Sequence, residues 1–427
     1  MRDFLPADKA RRERILAIIR HAYSARGFDE IETPVMEDSE RLHAGLGGDN
    51  EKLAFAVMKR GITPETLAET TDPLDLADLG LRFDLTVPLA RFYASHRGEL
   101  PTVFRSIQIA PVWRAERPQK GRYRQFVQCD IDIIGEAGPL AEVELLTATA
   151  ATLDALGLEG CTIRVNDRRL LTSALTILGF PAKEHDAVLI TLDKLDKIGH
   201  DGVIAELRER AFPDVPVDAL EAFFRRPTTM EFLPFGEAAI RKFLPEGVDA
   251  AAVASLASIG LAVEAARGGR GVGDGQPPLI QFDPWLVRGM GYYTGAIFEV
   301  VHPSLGYSLG GGGRYDNMIG RFLGSDVPAA GFSFGFERVV DLVSLASDAG
   351  SDAVALVHEG AADAASLVAL QSQLIASGKR VRLVRRPKNI APLLEQLAES
   401  GFTSYALVDA TPNAVPALAA LEFKPFR

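Results

Sequence analysis

The chain has 427 residues, of which 47% are hydrophobic and 24% are charged, and its formal net charge is -11 at pH 7. This length predicts two or three domains, because a single hydrophobic core rarely extends so far. The acidic balance argues against non-specific coating of nucleic acid, although a local basic patch could still hold such a partner. The two cysteines make neither a disulfide framework nor a metal site, and they fit a reducing compartment.

The sequence predicts neither membrane insertion nor export. No apolar run approaches the roughly 18 residues that a membrane span needs. The first residues, MRDFLPADKARRER, lack the apolar core of a signal peptide. We therefore expect a cytoplasmic protein.

The first predicted elements are a helix and an edge strand. Apolar residues follow helical spacing between Asp8 and Arg26, and Gly27 stands where the helix should stop. The next stretch, FDEIETPVMED, alternates like a strand, but Pro34 cannot donate to a ladder. A plain edge strand and an oligomer contact are both possible interpretations.

A carboxylate and a hydroxyl group stand two residues apart in LRFDLTVPLARFYA, residues 81–94. Asp84 and Thr86 would share one face of a short strand, ahead of a helix that Pro88 could open. Such a pair could hold a substrate ammonium group.

The sequence predicts a hairpin whose first strand is Arg105–Trp113. The stretch VWRAERPQKGRYRQFVQCDIDIIG, residues 112–135, runs from the end of that strand through the loop and the second strand. The second strand alternates between a polar and an apolar face. Its polar face carries Phe126, Gln128, Asp130 and Asp132. The connecting loop holds one acid, Glu116, and five cations: Arg114, Arg117, Lys120, Arg122 and Arg124. The hairpin is either an ordinary solvated face or a site that grips an anion and a cation side by side.

The middle of the chain is predicted to be largely helical. A strong helix runs from Leu140 to Leu156, where Gly157 ends it, and a strand turning into a helix follows at CTIRVNDRRLLTSAL. The composition beyond that point predicts a small inserted helical domain over residues 170–270. The glycine-rich stretch 267–278 is a linker or mobile loop, with a phosphate cradle as the less favoured alternative.

Three arginines in glycine-rich settings indicate a single anion site. Arg288 interrupts the apolar run LIQFDPWLVRGMGYYTGAIFEVV, and a buried arginine needs an anionic partner. Arg338 lies in the first turn of the helix that follows GFSFG, and Arg114 begins the hairpin loop. The partner is either an internal carboxylate or a bound phosphate or carboxylate, which the glycine run LGGGGRYD would let the backbone approach.

From Asp352 onward the pattern changes to short strands that alternate with helices. AVALVHEG, RVRLVRR and SYALVDA are the predicted strands. This alternation predicts a small α/β domain with a largely parallel sheet over residues 352–427. Its second strand and the following loop hold a second basic patch, made of Arg380, Arg382, Arg385, Arg386 and Lys388.

Together these stretches resemble the histidyl-tRNA synthetases, which are class II aminoacyl-tRNA synthetases, over essentially the whole chain. GFDEIETPVMED is similar to class II motif 1, the 112–135 stretch to motif 2, and AAGFSFGFERVV to motif 3. WLVRGMGYYTG and GGGGRYD resemble the two signature peptides of this family. The resemblance implies an α+β catalytic domain with a six-stranded antiparallel sheet, made of residues 1–169 and 271–346. It also implies a helical insertion at 170–270 and a C-terminal α/β anticodon-binding domain at 352–427.

The reaction that the resemblance implies has two steps. The carboxylate of L-histidine attacks the α-phosphorus of ATP, which gives histidyl-adenylate and pyrophosphate, and the acyl group then passes to the 3′ end of tRNA(His). Mg2+ would be held by the pyrophosphate oxygens, with no metal ligand from the protein. Family members are homodimers, so Pro34 and the rest of motif 1 would lie in the subunit interface.

The site residues are carried over from the matching motifs, position by position. The expected catalytic residues are Arg114, Arg288 and Gln128. The expected histidine-binding residues are Asp84, Thr86, Arg114, Gln128, Asp132, Arg288, Tyr292 and Tyr293. The expected ATP-binding residues are Arg114, Glu116, Arg122, Phe126 and Arg338. Arginine suits these positions because its planar fork binds phosphate through two bonds and stays charged.

The resemblance also assigns roles within this set. Asp84, Thr86 and Asp132 would hold the ammonium group of histidine, while Gln128 would sit at its carboxylate. The two tyrosines would line the imidazole pocket, Glu116 would contact the adenine amino group, and Phe126 would lie against the adenine ring. Gln119 and Lys120 would approach the acceptor end of the tRNA, and the 380–388 patch its anticodon stem.

Two positions depart from the family pattern, and one alternative function stays open. Gly291 stands where many members have Asp, and Asp84 where many bacterial members have Glu. The alternative is a synthetase-like regulatory subunit of ATP phosphoribosyltransferase, which binds histidine without catalysis. Such proteins typically lose catalytic arginines and the anticodon domain, whereas Arg114, Arg288 and Arg338 are all present here.

Overall fold

A computed structural model gives the fold of the chain. It describes residues 1–43, 53–117, 121–226, 235–267, 278–288, 293–345, 352–360, 362–408 and 417–426. The chain divides into two compact units, which are Met1–Arg2 with Ile15–Val343 and Asp3–Arg14 with Ser344–Arg427. Among the described helices, none combines the length and the apolar character needed to cross a membrane.

The elements up to residue 343 alternate between strands and helices. The strands are β1 (Asp29–Glu30), β2 (Met36–Asp38), β3 (Phe55–Met58), β4 (Ala77–Leu81), β5 (Phe104–Trp113), β6 (Gln125–Ile134), β7 (Thr162–Asp167), β8 (Ile280–Phe282), β9 (Ala296–Val301), β10 (Gly310–Arg314) and β11 (Ala329–Gly335). The helices are α1 (Pro6–Ser24), α2 (Ser39–His43), α3 (Pro64–Glu69), α4 (Thr86–His96), α5 (Leu140–Ala155), α6 (Arg168–Ile177), α7 (His185–Leu192), α8 (Leu195–Glu209, kinked at Gly199), α9 (Asp214–Phe224), α10 (Glu237–Lys242), α11 (Ala250–Ala266), α12 (Asp316–Leu323) and α13 (Phe336–Leu342).

The main sheet of the first unit has eight strands in the order β1-β5-β6-β11-β10-β9-β7-β8. The six inner strands are antiparallel to their neighbours, but β1 joins β5 and β8 joins β7 in parallel. The prediction of a six-stranded antiparallel sheet therefore holds for the six inner strands only, because a short strand extends the sheet in parallel at each edge. A separate three-stranded sheet has the order β2-β4-β3.

The predicted two faces of β6 are confirmed. Cys129, Ile131 and Ile133 are fully buried, while the alternate residues face a cavity. Helix α5 packs against β6 and β11, and its Glu142 binds Arg314 of β10 through two hydrogen bonds of 2.6 and 2.7 Å. This buried ion pair fixes β10, which lies in the middle of the sheet, against the helix behind it.

Helices α6 to α11 occupy the chain between β7 and β8, where the sequence predicts a helical insertion. Val188, Val203 and Leu220 from these helices share one hydrophobic core with Val87 of α4 and Ile319 of α12. The helical segment therefore packs as part of the first unit.

The second unit contains a four-stranded sheet with helices on its faces. Its elements are β12 (Ala353–His358), α14 (Ala364–Ala376), β13 (Arg380–Arg385), α15 (Ala391–Glu399), β14 (Ser404–Val408) and β15 (Phe423–Pro425). Strand β12 pairs in parallel with β13 and β14, as predicted, and β15 adds an antiparallel edge. Leu356 and Ala355 of β12 enter hydrophobic clusters on opposite faces, which is typical of a parallel sheet covered on both sides.

Candidate active site

A cavity of about 1470 Å³ opens on the polar face of the main sheet. The predicted site residues that line it are Asp84, Thr86, Arg114, Arg122, Phe126, Gln128, Asp132, Arg288, Tyr293 and Arg338. Glu116 is not part of this lining, and its Oε2 lies 2.8 Å from Nη1 of Arg122 in an ion pair. Tyr292, Gly291 and the Gln119-Lys120 pair lie outside the described residues, as does 268–277 of the glycine-rich stretch.

Three carboxylates gather at one part of the cavity. Asp84 lies in the turn after β4 and accepts a 3.2 Å hydrogen bond from the backbone N–H of Val87 in the first turn of α4. Thr86 begins that helix, so the two residues do not share a strand face as the sequence predicts. The cause is that β4 ends at Leu81, before either residue. Asp130 and Asp132 of β6 are each 3% exposed.

Burial raises the pKa of all three carboxyl groups. It raises the pKa of Asp84 to about 6 and that of Asp132 to about 7, and it raises the pKa of Asp130 well above its usual value. The neighbouring Asp132 raises the pKa of Asp130 further. Carboxylates crowded in this way need a cation, and an ammonium group would stabilise their charged forms.

The amide of Gln128 is held by its neighbours on the sheet. Its Nε2 donates a 2.8 Å hydrogen bond to Oγ of Ser333 and lies 3.4 Å from each carboxylate oxygen of Asp130. Within the described residues, the buried Oε1 of Gln128 accepts no hydrogen bond. Gln128 lines the cavity, and Ser333 and Asp130 hold its amide group in place.

Arginines from four separate segments of the chain line the same cavity. They are Arg114 and Arg122 of the hairpin loop, Arg164 of β7, Arg288, and Arg338 of α13. Arg114 follows β5, and its Nε donates to the carbonyl oxygen of Phe83 at 3.0 Å while its guanidinium carbon lies 5.0 Å from the ring centroid of Phe126. Arg338 of α13 donates to the carbonyl oxygens of Gly121 and Ser308 at 3.1 and 2.6 Å. Backbone and aromatic contacts therefore hold both guanidinium groups in defined orientations.

These cations repel one another. Burial lowers the pKa of Arg338, and the nearby guanidinium groups of Arg288 and Arg122 lower it further. Burial also lowers the pKa of Arg114, an effect that Asp84 partly offsets. A bound polyanion would remove this repulsion, so the arrangement favours a phosphate-bearing ligand.

The sequence leaves the anionic partner of Arg288 open, and the structure shows that an internal carboxylate is one partner. Nη1 of Arg288 donates to Oε1 of Glu299 on β9 and lies 3.5 Å from Oγ of Ser308. Arg288 also lines the cavity. It can therefore contact a ligand while Glu299 holds one of its nitrogens.

The family model described as histidyl-tRNA synthetase matches residues 1–339 of the chain. The chain belongs to the histidyl-tRNA synthetase family. A histidine–tRNA ligase of Leifsonia xyli subsp. xyli is 59% identical, with 100% of this chain and 97% of the relative covered. A probable histidine–tRNA ligase of Tropheryma whipplei is 42% identical, with 96% of this chain and 94% of the relative covered.

Solved structures of histidyl-tRNA synthetases share the fold. The enzyme from Nostoc sp. PCC 7120 superimposes with a TM-score of 0.74 at 24% identity, over 99% of this chain and 94% of the other. A protein of Bacillus halodurans C described as an ATP phosphoribosyltransferase regulatory subunit/histidyl-tRNA synthetase also gives 0.74, at 20% identity over 96% and 97% of the two chains. At these identities the likeness concerns the fold alone.

Sequence reasoning missed several residues that line the cavity of this family member. They are Asp130, Arg164, Glu299, Tyr307, Tyr315 and Ser333. The alternation of β6 places Asp130 beside Gln128 and Asp132, and that signal could have added it to the site. Arg164, Glu299 and Ser333 reach the cavity through pairing between strands distant in sequence, which no local pattern reveals. Tyr307 lies between β9 and β10, and Tyr315 directly follows β10.

Proposed function

We propose that the chain is a histidine–tRNA ligase, which activates L-histidine with ATP and transfers it to the 3′ end of tRNA(His). The observation that carries this proposal is one cavity in which arginines from four segments face three buried carboxylates. Adenylation of an amino acid needs this combination, because it brings together a triphosphate and an ammonium group. Membership of the family gives the reaction.

The carboxylates would bind the ammonium group of histidine. Asp132 has a buried oxygen, Oδ2, that accepts no hydrogen bond within the described residues. Asp84 and Thr86 face the same cavity. Gln128 lines the same cavity and would sit at the carboxylate of histidine. Tyr293, which is 9% exposed and lines the cavity, would lie at the imidazole ring together with Tyr292.

The arginines would bind ATP and stabilise the transition state. As the histidine carboxylate forms its bond to the α-phosphorus, the bond to the bridging oxygen breaks and pyrophosphate leaves with the electron pair. Arg114 and Arg288 would contact the α-phosphate, where negative charge accumulates, and Arg338 and Arg122 would contact the phosphate tail. Fixed guanidinium groups lower the barrier because they are oriented before the reaction begins.

The adenine would lie against the ring of Phe126, with Arg338 on its other side. Glu116 would contact the adenine amino group only after a change of partner, since Arg122 now holds its side chain. Arg122 is half exposed, and ATP would compete for it through its phosphates. Binding of ATP would therefore free Glu116 and engage Arg122 in one step.

Mg2+ would be held by the phosphate oxygens of ATP. Among the described residues, no group of three His, Cys, Asp or Glu side chains could hold a metal ion. Phosphate oxygens are the hard ligands that Mg2+ prefers, and it usually keeps several waters beside them. When bound, the ion would neutralise part of the charge on the leaving pyrophosphate.

Two macromolecular contacts belong to the same proposal. Val35 and Met36, next to Pro34, are 41% and 49% exposed, and they would be covered in a homodimer. The basic patch on β13 would bind the anticodon stem of tRNA(His), which makes residues 352–427 the anticodon-binding domain. Light scattering would give the mass of the dimer, and a monomer at micromolar concentration would contradict the first contact.

The experiment that tests the function is histidine-dependent exchange of labelled pyrophosphate into ATP by the purified chain. We expect exchange with histidine and none with other amino acids, followed by acylation of tRNA(His). Bound histidine with no exchange would contradict the proposal and favour the regulatory subunit of ATP phosphoribosyltransferase. Exchange with several amino acids would contradict the assigned specificity.

A further inference from the structure

One row of residues crosses the cavity side of the main sheet. Arg164 of β7 lies in register with Glu299 of β9, and Glu299 lies in register with Gly311 of β10. Residues in register on neighbouring strands point to the same face. The Arg164 and Glu299 side chains therefore stand side by side, next to a position that has no side chain.

The guanidinium group of Arg288 fills the space above Gly311. A Cβ atom at Gly311 would lie 2.6 Å from Cζ and 2.8 Å from Nη1 of Arg288, so the guanidinium group lies directly on the backbone of β10. From there Nη1 reaches Oε1 of Glu299 on the adjacent strand. The location of Arg288 thus depends on a glycine beneath it and a carboxylate beside it.

Glu299 is itself fixed from the other side. Its Oε2 accepts a hydrogen bond from Nη2 of Arg164, and its side chain is 13% exposed. Arg164 also lies 3.1 Å from carboxylate oxygens of Asp283 and Asp196. Glu299 is bound by Arg164 as well as by Arg288, and Arg164 is bound in turn by Asp283 and Asp196. Glu299 would therefore keep its position if the side chain of Arg288 changed its rotamer.

The ion pair with Glu299 opposes the electrostatic repulsion between Arg288 and the other arginines of the cavity. Arg288 lies close enough to Arg338 to lower its pKa, so the cations around the cavity push one another apart. Arg288 has a long side chain with several rotatable bonds. Besides Glu299, the carboxyl group of Asp193 on the cavity lining is near enough that Arg288 opposes the rise in its pKa that burial causes. Glu299 supplies the directly hydrogen-bonded attraction, since its Oε1 accepts the bond that Nη1 of Arg288 donates.

We propose that Glu299, held by Arg164, is the positioning residue that aims Arg288 at the α-phosphate of ATP. This inference rests on the proposed function and deepens it. Glu299 would make the same ion pairs if it only stabilised the pairing of β7 with β9. The two roles differ in one respect: a positioning role requires that the effect of replacing Glu299 depend on the presence of Arg288. Misplacement of a catalytic group by about 1 Å can cost roughly a hundredfold in rate.

The test is a double-mutant cycle of Glu299→Gln and Arg288→Ala, followed by pyrophosphate exchange. We expect Glu299→Gln to lower kcat about ten- to a hundredfold, with KM for histidine and ATP changed by no more than about twofold. In the Arg288→Ala background the same substitution should lower kcat by less than about twofold, because the residue it positions is gone.

The matched control is Glu144→Gln. Glu144 of α5 pairs with Arg105 of β5 at 2.6 Å and is 26% exposed, but it does not line the cavity. We expect wild-type exchange from this variant. Arg164→Lys, which keeps a charge beside Glu299 but loses the planar fork, should give a smaller loss of kcat than Glu299→Gln. Thermal unfolding of each variant would verify that it is folded.

Three results would decide against the proposals. Equal losses of kcat from Glu299→Gln with and without Arg288 would make Glu299 a structural brace and overturn the positioning role. Wild-type kcat in the folded Glu299→Gln variant would overturn it too. Absence of histidine-dependent exchange in the wild-type chain would instead overturn the proposed function itself.

Discussion

The hydroxyl group of Tyr315 donates a 2.5 Å hydrogen bond to Oδ1 of Asp132. Both residues are buried, at 2% and 3% exposure. Burial raises the pKa of Asp132 to about 7, and the bond from Tyr315 works against that rise. Gly331 makes the arrangement possible, because a Cβ atom there would lie 1.9 Å from Oδ1 of Asp132. Tyr315 therefore favours the ionised form of Asp132, which is the form that the proposed contact with an ammonium group needs.

The first prediction concerns this bond. Tyr315→Phe should raise the pKa of Asp132 further, so that less of it is ionised at pH 7. A rise of about one pKa unit would lower the affinity for histidine by about fivefold at that pH. Titration calorimetry with histidine would measure the loss. Tyr405→Phe in the second unit is the matched control and should bind as the wild type does. Equal affinities for Tyr315→Phe and the wild type would contradict the role.

The second prediction concerns pH. Burial raises the pKa of Asp84 to about 6 and that of Asp132 to about 7. Both pKa values are raised, so the carboxyl groups take up protons as pH falls from 8 to 6 and lose their attraction for an ammonium group. The affinity for histidine should therefore fall over this range.

The control for pH is Asp132→Asn, which removes one of the carboxyl groups whose pKa burial raises. The imidazole of free histidine also gains a proton over this range, and it does so equally for both proteins. We expect a weaker affinity at pH 8 and a shallower dependence on pH in the variant. An affinity of the wild type that stays constant or rises toward pH 6 would contradict the prediction.

Much of the site follows from local sequence pattern. The two faces of β6 were predictable because alternation under one-sided burial leaves few choices of register. The ends of α1 and α5 were predictable because Gly27 and Gly157 adopt positive φ, at 78° and 66°.

Other features depend on pairing that sequence spacing does not encode. Residue Glu299 meets Arg164 because β9 pairs with β7, 135 positions away in the chain. The parallel edge strand β1 has two residues, too few to give a periodic pattern. The strand predicted at Asp84 failed because the chain turns there to begin α4, whose start lacks a side-chain cap at Leu85.

The third prediction tests the close packing of Arg288 on β10. In Gly311→Ala the new methyl group would lie 2.6 Å from Cζ of Arg288 and 2.8 Å from the carbonyl oxygen of Phe298. Since the backbone cannot yield easily, the guanidinium group must move. We expect kcat for pyrophosphate exchange to fall at least about tenfold while histidine still binds.

Gly306→Ala is the control for this substitution, because among the described residues no atom beyond its two chain neighbours lies within 4 Å of a Cβ at that position. It should keep kcat within about twofold of the wild type. Retained histidine binding, measured by calorimetry, would show that Gly311→Ala is folded. Wild-type exchange by Gly311→Ala would mean that Arg288 does not act from its place above β10.

The last prediction concerns the basic patch of the second unit. Arg380 and Arg382 are exposed on β13, and the guanidinium carbon of each lies 4.7 Å from the ring centroid of Phe402. The ring limits the freedom of both side chains, which lowers the entropy cost of binding phosphate. Arg382→Gln should weaken tRNA binding and reduce the salt slope by about one, while pyrophosphate exchange stays unchanged.

Arg225→Gln is the control for the charge change itself. Arg225 is 72% exposed and pairs with Glu221 of the same helix, so it offers little to an anionic partner. Its loss should leave both tRNA affinity and the salt slope as in the wild type. An equal loss of affinity from both substitutions would assign tRNA binding to overall charge. Unchanged affinity in Arg382→Gln would show that this arginine does not contact the anticodon stem. A side chain that neutralises a phosphate releases a counterion when the tRNA binds, so its loss must weaken binding.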